Sequence, residues 1–547
     1  MIALGRAFVG VAGETDRART ARALDEAATI LVPRGAIARV ETKAVDARVV
    51  GESGVGGAPA SGLRAGRDDG GASVSVRWDE DGALDLVADR FGRRSLFVAE
   101  RDGALAFSTD ARALARLLSA LGAPPTLDPR AIRRFYAFSC VPAPRSPWRE
   151  IRAVPASHRA RWATTLGPFT RAADVALDAD PPDDEGAGAL LRDAVLAASE
   201  RAYEREPRAA LLLSGGLDSA LVGGGLARVC RGADALTIDL DEGSEVTDAR
   251  AIADAFGLVH HKVAVDGDAV VCALDAAIAT LDTPIGDPVV VPLFLAARAA
   301  ASLGARALWN GEGGDQLFAG WQTKPMLAWA RYAAAGENPS EPYLATFHKL
   351  AEVEGAALGD ALRDAGDPPL EDDLRPLFEP ERATRHRSFL HLLCEANLFS
   401  KGASNVAPRI DRVSAGAGVD AVSPLLDPAV VDASFRLHPT QKQRGVIEKW
   451  AVRAALGETL PAAIVSLPKR GMRVPLTTWL KGPLGELARD VLASRAFRER
   501  GHVRPAFAEA LLAGEVLAPD LRRRRRDEWV WLLLAGELWM RAHGARG

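Results

Sequence analysis

The sequence has few cysteines, little net charge and no long hydrophobic run, and each of these absences excludes a class of protein. Four cysteines occur in 547 residues, at positions 140, 230, 272 and 394, and their spacing fits neither a disulfide framework nor a pair of metal ligands. We expect reduced thiols in a cytoplasmic protein. The net charge of −4 and the pI near 6.2 give no reason to expect nucleic acid as a partner. The apolar stretch 529–535 is too short to span a bilayer and the N-terminus lacks a signal-peptide pattern, so no membrane partner is expected either.

Length and patterning predict two domains. The hydrophobic fraction of 48% and charged fraction of 26% are those of an ordinary globular protein, and 547 residues exceed the usual size of one domain. Residues 1–177 carry short alternating apolar runs, which predict antiparallel strands. The acidic segment 178–188, with paired prolines, predicts a linker. In residues 189–547, helical patterns alternate with short buried strands, which is typical of a parallel α/β sheet.

The stretch 209–229 carries the clearest chemical signal. An apolar run ends at Ser214-Gly215-Gly216 and a helical pattern follows from Ser219, which predicts a buried strand, a glycine turn and a helix. Glycines bring backbone N–H groups close to a ligand, and a helix N-terminus favours phosphate. Asp218 would repel phosphate unless a divalent cation lay between them, so its position implies Mg²⁺. Ile238 and the backbone near Leu213 are candidate adenine contacts, although both positions equally fit a buried strand.

A second glycine-rich turn follows the predicted strand near 307–310. It carries two acids, Glu312 and Asp315, with glycines around both. These glycines indicate close approach to a ligand rather than core packing. Taken alone, the turn fits a solvated acidic loop equally well. The presence of the other glycine turn at 214–216 favours the interpretation of this second turn as part of a ligand site.

Two other patterns receive structural interpretations. His260 and His261 are adjacent in a predicted strand and point to opposite faces, so they do not predict a zinc site. The five arginines 522–526 are interpreted as a solvated run beside an amphipathic C-terminal helix, because no base-stacking aromatics are interleaved with them.

These motifs carry a resemblance to a known family. The string Ser-Gly-Gly-Leu-Asp-Ser at 214–219 resembles the pyrophosphate-binding loop of ATP pyrophosphatases, and 307–321 resembles the acidic motif of the asparagine synthetase family. Asp89-Arg-Phe-Gly92 and 105–110 resemble the glutaminase domain of class II amidotransferases. The resemblance implies an N-terminal Ntn-type α+β sandwich and a C-terminal ATP-pyrophosphatase domain with a parallel sheet.

The resemblance also implies an AMP-forming carbon–nitrogen ligase that uses ATP and Mg²⁺. Asp218 and Asp315 would hold the metal, Glu312 would lie beside the acyl group as a candidate general base, and Lys469 would stabilise charge on the reacting oxygens. The predicted ATP- and pyrophosphate-binding residues are Leu213, Ser214, Gly215, Gly216, Leu217, Asp218, Ser219, Ile238 and Gly311.

One departure from the family selects among its members. Its glutaminases use an N-terminal cysteine, whereas Ile2 follows Met1 here and the first cysteine is Cys140. We therefore expect an inactive glutaminase-like domain. Relatives without that cysteine include lasso peptide cyclases and β-lactam synthetases, and the latter have tyrosine at the position of Glu312. The sequence is thus most similar to lasso peptide isopeptide bond-forming cyclases, which implies a precursor peptide as substrate and a leader-peptide protease as partner. A β-lactam synthetase-type enzyme, an ammonia-dependent asparagine synthetase and a silent scaffold remain alternatives.

Overall fold

The structure of the chain is a computed structural model. It describes residues 2–5, 7–13, 16–34, 36–41, 45–51, 62–65, 73–177, 180–240, 245–320, 323–334, 336–348, 350–351, 357–363, 368–468, 471–515 and 523–544.

The N-terminal unit contains two six-stranded sheets. One has the order β1-β5-β6-β7-β11-β12, and the other has the order β10-β8-β9-β2-β4-β3. All pairings are antiparallel except that of β1 with β5. The strands are β1 (Ile2–Gly5), β2 (Ala7–Ala12), β3 (Ala36–Glu41), β4 (Val45–Gly51), β5 (Gly62–Ala65), β6 (Val74–Trp78), β7 (Leu84–Val87), β8 (Phe97–Arg101), β9 (Ala104–Ser108), β10 (Arg152–Ala153), β11 (His158–Trp162) and β12 (Thr170–Arg171).

Alternation along these strands gives the unit two apolar layers. Phe8 on β2 and Phe107 on β9 pack edge to face at 6.0 Å, within a core that also takes Leu86 and Val76 from the other sheet. The opposite face of β2 packs against helices. These helices are Arg17–Ala28, Ala111–Ala120 and Pro129–Phe138, with a 3₁₀ segment at Thr29–Arg34. The predicted α+β sandwich is therefore present.

The C-terminal unit is built on a five-stranded parallel sheet, as predicted. Its order is β15-β14-β13-β16-β17, with β13 (Ala209–Leu212), β14 (Asp234–Leu240), β15 (Val259–Val265), β16 (Ala307–Trp309) and β17 (Asp420–Val422). A small hairpin pairs β18 (Gln443–Arg444) with β19 (Ile447–Glu448). The chain runs outward from β13 to β15 and then returns to the other side of β13, so β13 and β16 flank the switch point. Ligands of open α/β sheets bind at this place.

Helices cover both faces of this sheet and extend beyond it. They are Asp184–Arg205, Leu217–Val229, Val246–Phe256, Gly267–Thr280, Val290–Ser302, Gly314–Leu317, Thr323–Tyr332, Ser340–Phe347, Asp360–Arg363, Pro380–Arg385, Phe389–Asn397, Ala407–Gly416, Pro428–Arg436, Pro439–Lys442, Trp450–Leu456, Ala462–Val465, Leu476–Trp479, Pro483–Leu492, Arg495–Glu499, Pro505–Ala513 and Arg523–His543, with 3₁₀ segments at Leu370–Asp373, Arg375–Phe378 and Pro424–Leu426 and a π-helix at Leu398–Val406. Among the described residues, no helix combines the length and apolar character that a membrane crossing requires.

Two local expectations differ from the structure. Helix Asp184–Arg205 begins inside the segment 178–188 predicted as a linker, because Asp183 caps it by accepting from the N–H of Gly186 at 2.7 Å. The C-terminal helix is not amphipathic over its apolar part. Trp529, Trp531 and Trp539 are at most 1% exposed, since the helix packs against residues of both units, including Tyr136 and Trp148.

Candidate active site

Two glycine turns meet at the carboxyl ends of β13 and β16. These strands pair in parallel with Leu211 opposite Trp309, so the turns that follow them are neighbours. We call residues 214–219 the phosphate loop and residues 310–315 the acidic loop. A Cβ added to Gly311 would lie 2.7 Å from the backbone nitrogen of Ser219, so only glycine permits this contact between the loops.

The phosphate loop is held open by its own serines. The hydroxyl of Ser219 accepts from the N–H of Ser214 at 3.1 Å and donates to the carbonyl of Gly216 at 3.0 Å. Gly215 has φ of +76°, which favours glycine. Helix Leu217–Val229 then begins after Gly216, which has no side chain to cap it. Its first N–H groups are therefore available to an anion.

Asn310 organises the acidic loop, and sequence reasoning missed it. Its side-chain oxygen accepts from the N–H of Glu312 at 3.1 Å and from the hydroxyl of Ser423 at 2.9 Å. Its side-chain amide donates to the carbonyl of Val422 at 3.0 Å. Asn310 is 1% exposed, so these bonds fix Glu312 relative to β17. A single asparagine after a strand gives no distinctive sequence signal.

The two acids predicted to bind metal converge on Lys449. Its ammonium lies 2.6 Å from Oδ1 of Asp315 and also contacts Oδ2 of Asp218. The Lys449 side chain is 1% exposed and its φ is +57°, a backbone conformation that is uncommon outside glycine. Lys449 was not predicted, because an isolated lysine before a helix carries no motif.

The donor set at this point fits a magnesium ion that arrives with a nucleotide. Two carboxylates at one point are the protein share that Mg²⁺ commonly takes, with phosphate oxygens and waters as its other ligands. No group of three or more His, Cys, Asp or Glu residues suited to a resident metal occurs in the described part of the chain. The assignment of Mg²⁺ to Asp218 and Asp315 stays a prediction, and Lys449 is an additional cation at the same place.

Glu312 forms an ion pair with Arg409. A guanidinium nitrogen of Arg409 donates to Oε1 of Glu312 at 2.8 Å, and Arg409 also contacts Asp287. Burial acts to lower the pKa of Arg409, but the carboxylates of Asp287 and Glu312 outweigh it and raise the pKa, so the guanidinium stays charged. Arg409 itself was not among the predicted site residues.

One cleft of about 1640 Å³ is lined by Asp218, Glu312, Asp315 and Arg409. The phosphate loop and the acidic loop form one side. The remaining walls include residues 137–139, 471–477 and several positions between 397 and 409. The predicted catalytic Lys469 lies outside the described residues, whereas the segment immediately after it lines the cleft.

The two candidate adenine contacts are not brought to the cleft by their side chains. Leu213 is 0% and Ile238 7% exposed, and both pack in the core. The carbonyl of Leu213 accepts from the hydroxyl of Thr237 at 2.7 Å. Leu212 lines the cleft instead. Both side chains are thus buried, and an adenine contact through Ile238 or the backbone near Leu213 stays a prediction.

The adjacent histidines have separate partners, in agreement with the structural interpretation. His260 bonds the hydroxyl of Thr237 at 2.9 Å, and His261 bonds Asp234 at 2.7 Å.

Comparison with known proteins identifies relatives of both units. A family model described as asparagine synthase matches residues 190–541, and one described as a glutamine amidotransferase domain matches residues 71–168. A Mycobacterium tuberculosis protein provisionally named a glutamine-hydrolysing asparagine synthetase is 25% identical over 498 residues, covering 83% of this chain and 74% of the relative. A Bacillus subtilis asparagine synthetase is 21% identical over 309 residues, covering 51% and 48%. One from Lotus japonicus is 32% identical over 123 residues, covering 20% and 21%.

Proposed function

Because the chain belongs to the asparagine synthase family, whose members are ATP-dependent carbon–nitrogen ligases that form AMP, we propose that it adenylates an Asp or Glu side chain of a precursor peptide. Pyrophosphate leaves in this step. The peptide's own N-terminal amine then attacks the acyl-adenylate, AMP leaves, and the new amide bond closes a macrolactam ring. The observation that carries this proposal is the meeting of two loops in one cleft. The phosphate loop lines this cleft, and Glu312 of the acidic loop beside it pairs with Arg409.

Different residues serve the activation of the carboxylate by ATP and the attack of the amine. N–H groups of the phosphate loop hold the phosphates of ATP, and Lys449 adds positive charge where Asp218 and Asp315 converge. Asp218 and Asp315 would hold magnesium, which when bound neutralises phosphate charge. The attacking amine must lose a proton, and Glu312 accepts it at Oε2 while Arg409 holds Oε1.

One feature favours a peptide over a small acid, and a second disfavours glutamine as the source of the amine. The cleft volume of about 1640 Å³ exceeds the roughly 300–1000 Å³ of most small-molecule sites, which leaves room for a peptide segment beside ATP. Ammonia from glutamine would need a reactive thiol in the N-terminal unit. Burial raises the pKa of the Cys140 thiol to about 12, so this cysteine stays protonated and cannot serve as a nucleophile.

The second candidate is an ammonia-dependent asparagine synthetase. The names of the relatives support asparagine formation, although they specify glutamine hydrolysis rather than free ammonia. The two are separated by ATP–pyrophosphate exchange with purified protein. The acids are L-aspartate, a carboxyethylated amino acid, and a synthetic peptide with N-terminal glycine and an internal acidic residue. Exchange with the peptide, together with a dehydrated product in mass spectrometry, is expected. Exchange with aspartate alone, and asparagine formed from ammonium, would replace the proposal by the second candidate. Exchange with only the carboxyethylated acid would indicate a β-lactam synthetase-type reaction.

A further inference from the structure

One wall of the cleft is an unusual helix. Leu398–Val406 is π-helical and continues helix Phe389–Asn397 into helix Ala407–Gly416. Such segments are rare and often occur at functional sites. Asn397, Lys401, Asn405 and Arg409 all line the cleft. They recur every fourth residue and therefore share one face of the rod. We call residues 397–409 the wall segment.

Two polar groups of the wall segment are buried without a complete set of partners. Asn397 is 7% and Asn405 1% exposed. The side-chain oxygen of each lacks a hydrogen-bond partner within the described part of the chain. The amide of Asn405 donates to the carbonyl of Ser139, at a long 3.4 Å. Buried acceptors left unpaired cost free energy, so a ligand with N–H donors would stabilise this wall.

Lys401 lies between the two asparagines on the same face. It makes no ion pair or hydrogen bond with any residue that the structure describes. Two titratable groups near it are neutral: burial lowers the pKa of His348 to about 3 and raises that of Cys140 to about 12. Arg409, one turn further on, is already occupied by Glu312 and Asp287. Lys401 is therefore a cation in the wall of the cleft that has no anionic partner among the described residues.

We propose that Asn397, Lys401 and Asn405 form the subsite for the second substrate, in which Lys401 binds a carboxylate and the two asparagine oxygens accept N–H groups beside it. This rests on the proposed function, since it places the substrate whose carboxyl group is activated. A free amino acid carries this combination in its α-carboxylate and ammonium, and a peptide carries it in an acidic residue and its backbone amides. No covalent step is assigned to the three residues, so they are specificity-determining rather than catalytic.

The test compares wild type with Lys401→Met and Lys401→Arg, using L-aspartate and the glycine-initiated acidic peptide as probes. Loss of a charge-assisted hydrogen bond should raise the KM for the acid in ATP–pyrophosphate exchange about 10- to 100-fold. The KM for ATP should remain unchanged, and Lys401→Arg should recover most of the affinity. Whichever probe shows the change identifies the source of the carboxylate. Lys262→Met is the matched control, because Lys262 is exposed on β15 and not part of the cleft.

A second measurement separates this subsite from the proposed reaction. Equilibrium binding of each probe without ATP is measured by calorimetry for the same variants. Probe binding by wild type that weakens in Lys401→Met supports the subsite even if exchange is absent, in which case only the proposed function fails. The subsite is refuted if the KM for the acid is unchanged in Lys401→Met. It is also refuted if the wild-type protein neither binds either probe nor shows exchange with either.

Discussion

Gly314→Ala tests whether the position of the Asp218 carboxylate controls ATP activation. A Cβ at residue 314 would lie 2.8 Å from Cβ of Asp218 and closer still to its carboxyl group. Ordinary carbon contacts are roughly 3.5–4.0 Å, so the Asp218 side chain must move by about 1 Å. The substitution thus displaces one of the two acids at Lys449 without removing a functional group.

The expected loss is large in rate and smaller in stability. A displacement of about 1 Å in a positioned group costs about 100-fold in rate, equivalent to about 2.7 kcal/mol of barrier. Overpacking costs about 1–3 kcal/mol of unfolding free energy, which a folded domain with about 5–15 kcal/mol tolerates. ATP–pyrophosphate exchange measures the first effect, and urea denaturation of the same preparation measures the second.

The matched control is Gly457→Ala. Gly457 is exposed, has φ of −62°, and an added Cβ would have no heavy atom nearer than 3.4 Å. It should retain exchange and stability. Exchange within threefold of wild type in Gly314→Ala would refute the reasoning, because the carboxylate's position would then not matter.

Three further predictions concern buried ionisable side chains. Lys449→Met leaves Asp218 and Asp315 facing each other without their shared ammonium, and it should lower the unfolding free energy by about 3 kcal/mol. Millimolar Mg²⁺ should restore part of this stability in thermal melts. The absence of any magnesium effect would contradict the metal assignment. Arg94→Met breaks a buried ion pair with Asp411 between the two units and should lower the unfolding free energy in urea by about 3 kcal/mol. Arg101→Met removes an exposed ion pair with Asp102 and should lower it by less than about 1 kcal/mol. Equal losses would refute the distinction between buried and exposed pairs. Burial lowers the pKa of His348 to about 3, of His391 to about 2, and of His502 and His543 to about 4. Below pH 6.5 these histidines are protonated in the unfolded chain but not in the folded chain, so the unfolding free energy should fall by about 1.4 kcal/mol per pH unit for each histidine, down to its folded pKa. An unfolding free energy that stays constant between pH 6 and 4.5 in denaturant titrations would contradict the burial of these rings.

Local patterns predicted the parts of the fold that depend on short stretches of chain. The runs near 209–213, 235–240 and 307–310 predicted β13, β14 and β16 to within a residue or so, because a buried parallel strand is a short apolar run bounded by turns. The glycine turns after β13 and β16 predicted the meeting of the phosphate and acidic loops. Parallel strands place their carboxyl ends at one edge, so this contact needed no knowledge of distant residues.

Residues brought in from far along the chain could not be predicted in this way. Lys449 reaches the acids only after helix Trp450–Leu456 packs on helices Asp184–Arg205 and Leu217–Val229. Arg409 reaches Glu312 only after helix Ala407–Gly416 packs on β17. The C-terminal helix was predicted to be amphipathic because charged residues flank its apolar core. It is buried instead because residues of both units, Trp148 and Leu281 among them, surround Trp539.

The N-terminal unit is part of the physical structure of the cleft. Gly92 packs so closely on the wall segment that an added Cβ would lie 2.8 Å from Cα of Ala403, and the ring of Phe91 contacts that of Phe399 at 6.4 Å. Three residues beyond Arg409, Arg412 binds Asp282 and donates to the carbonyl of Thr109 at 2.6 Å. The wall segment therefore lies between the cleft on one side and the N-terminal unit on the other. Without the N-terminal unit, Phe399 would lose its contact with Phe91, and Arg412 would lose Asp110 and the carbonyl of Thr109. The cleft therefore needs this unit for its shape, whatever the source of the attacking amine.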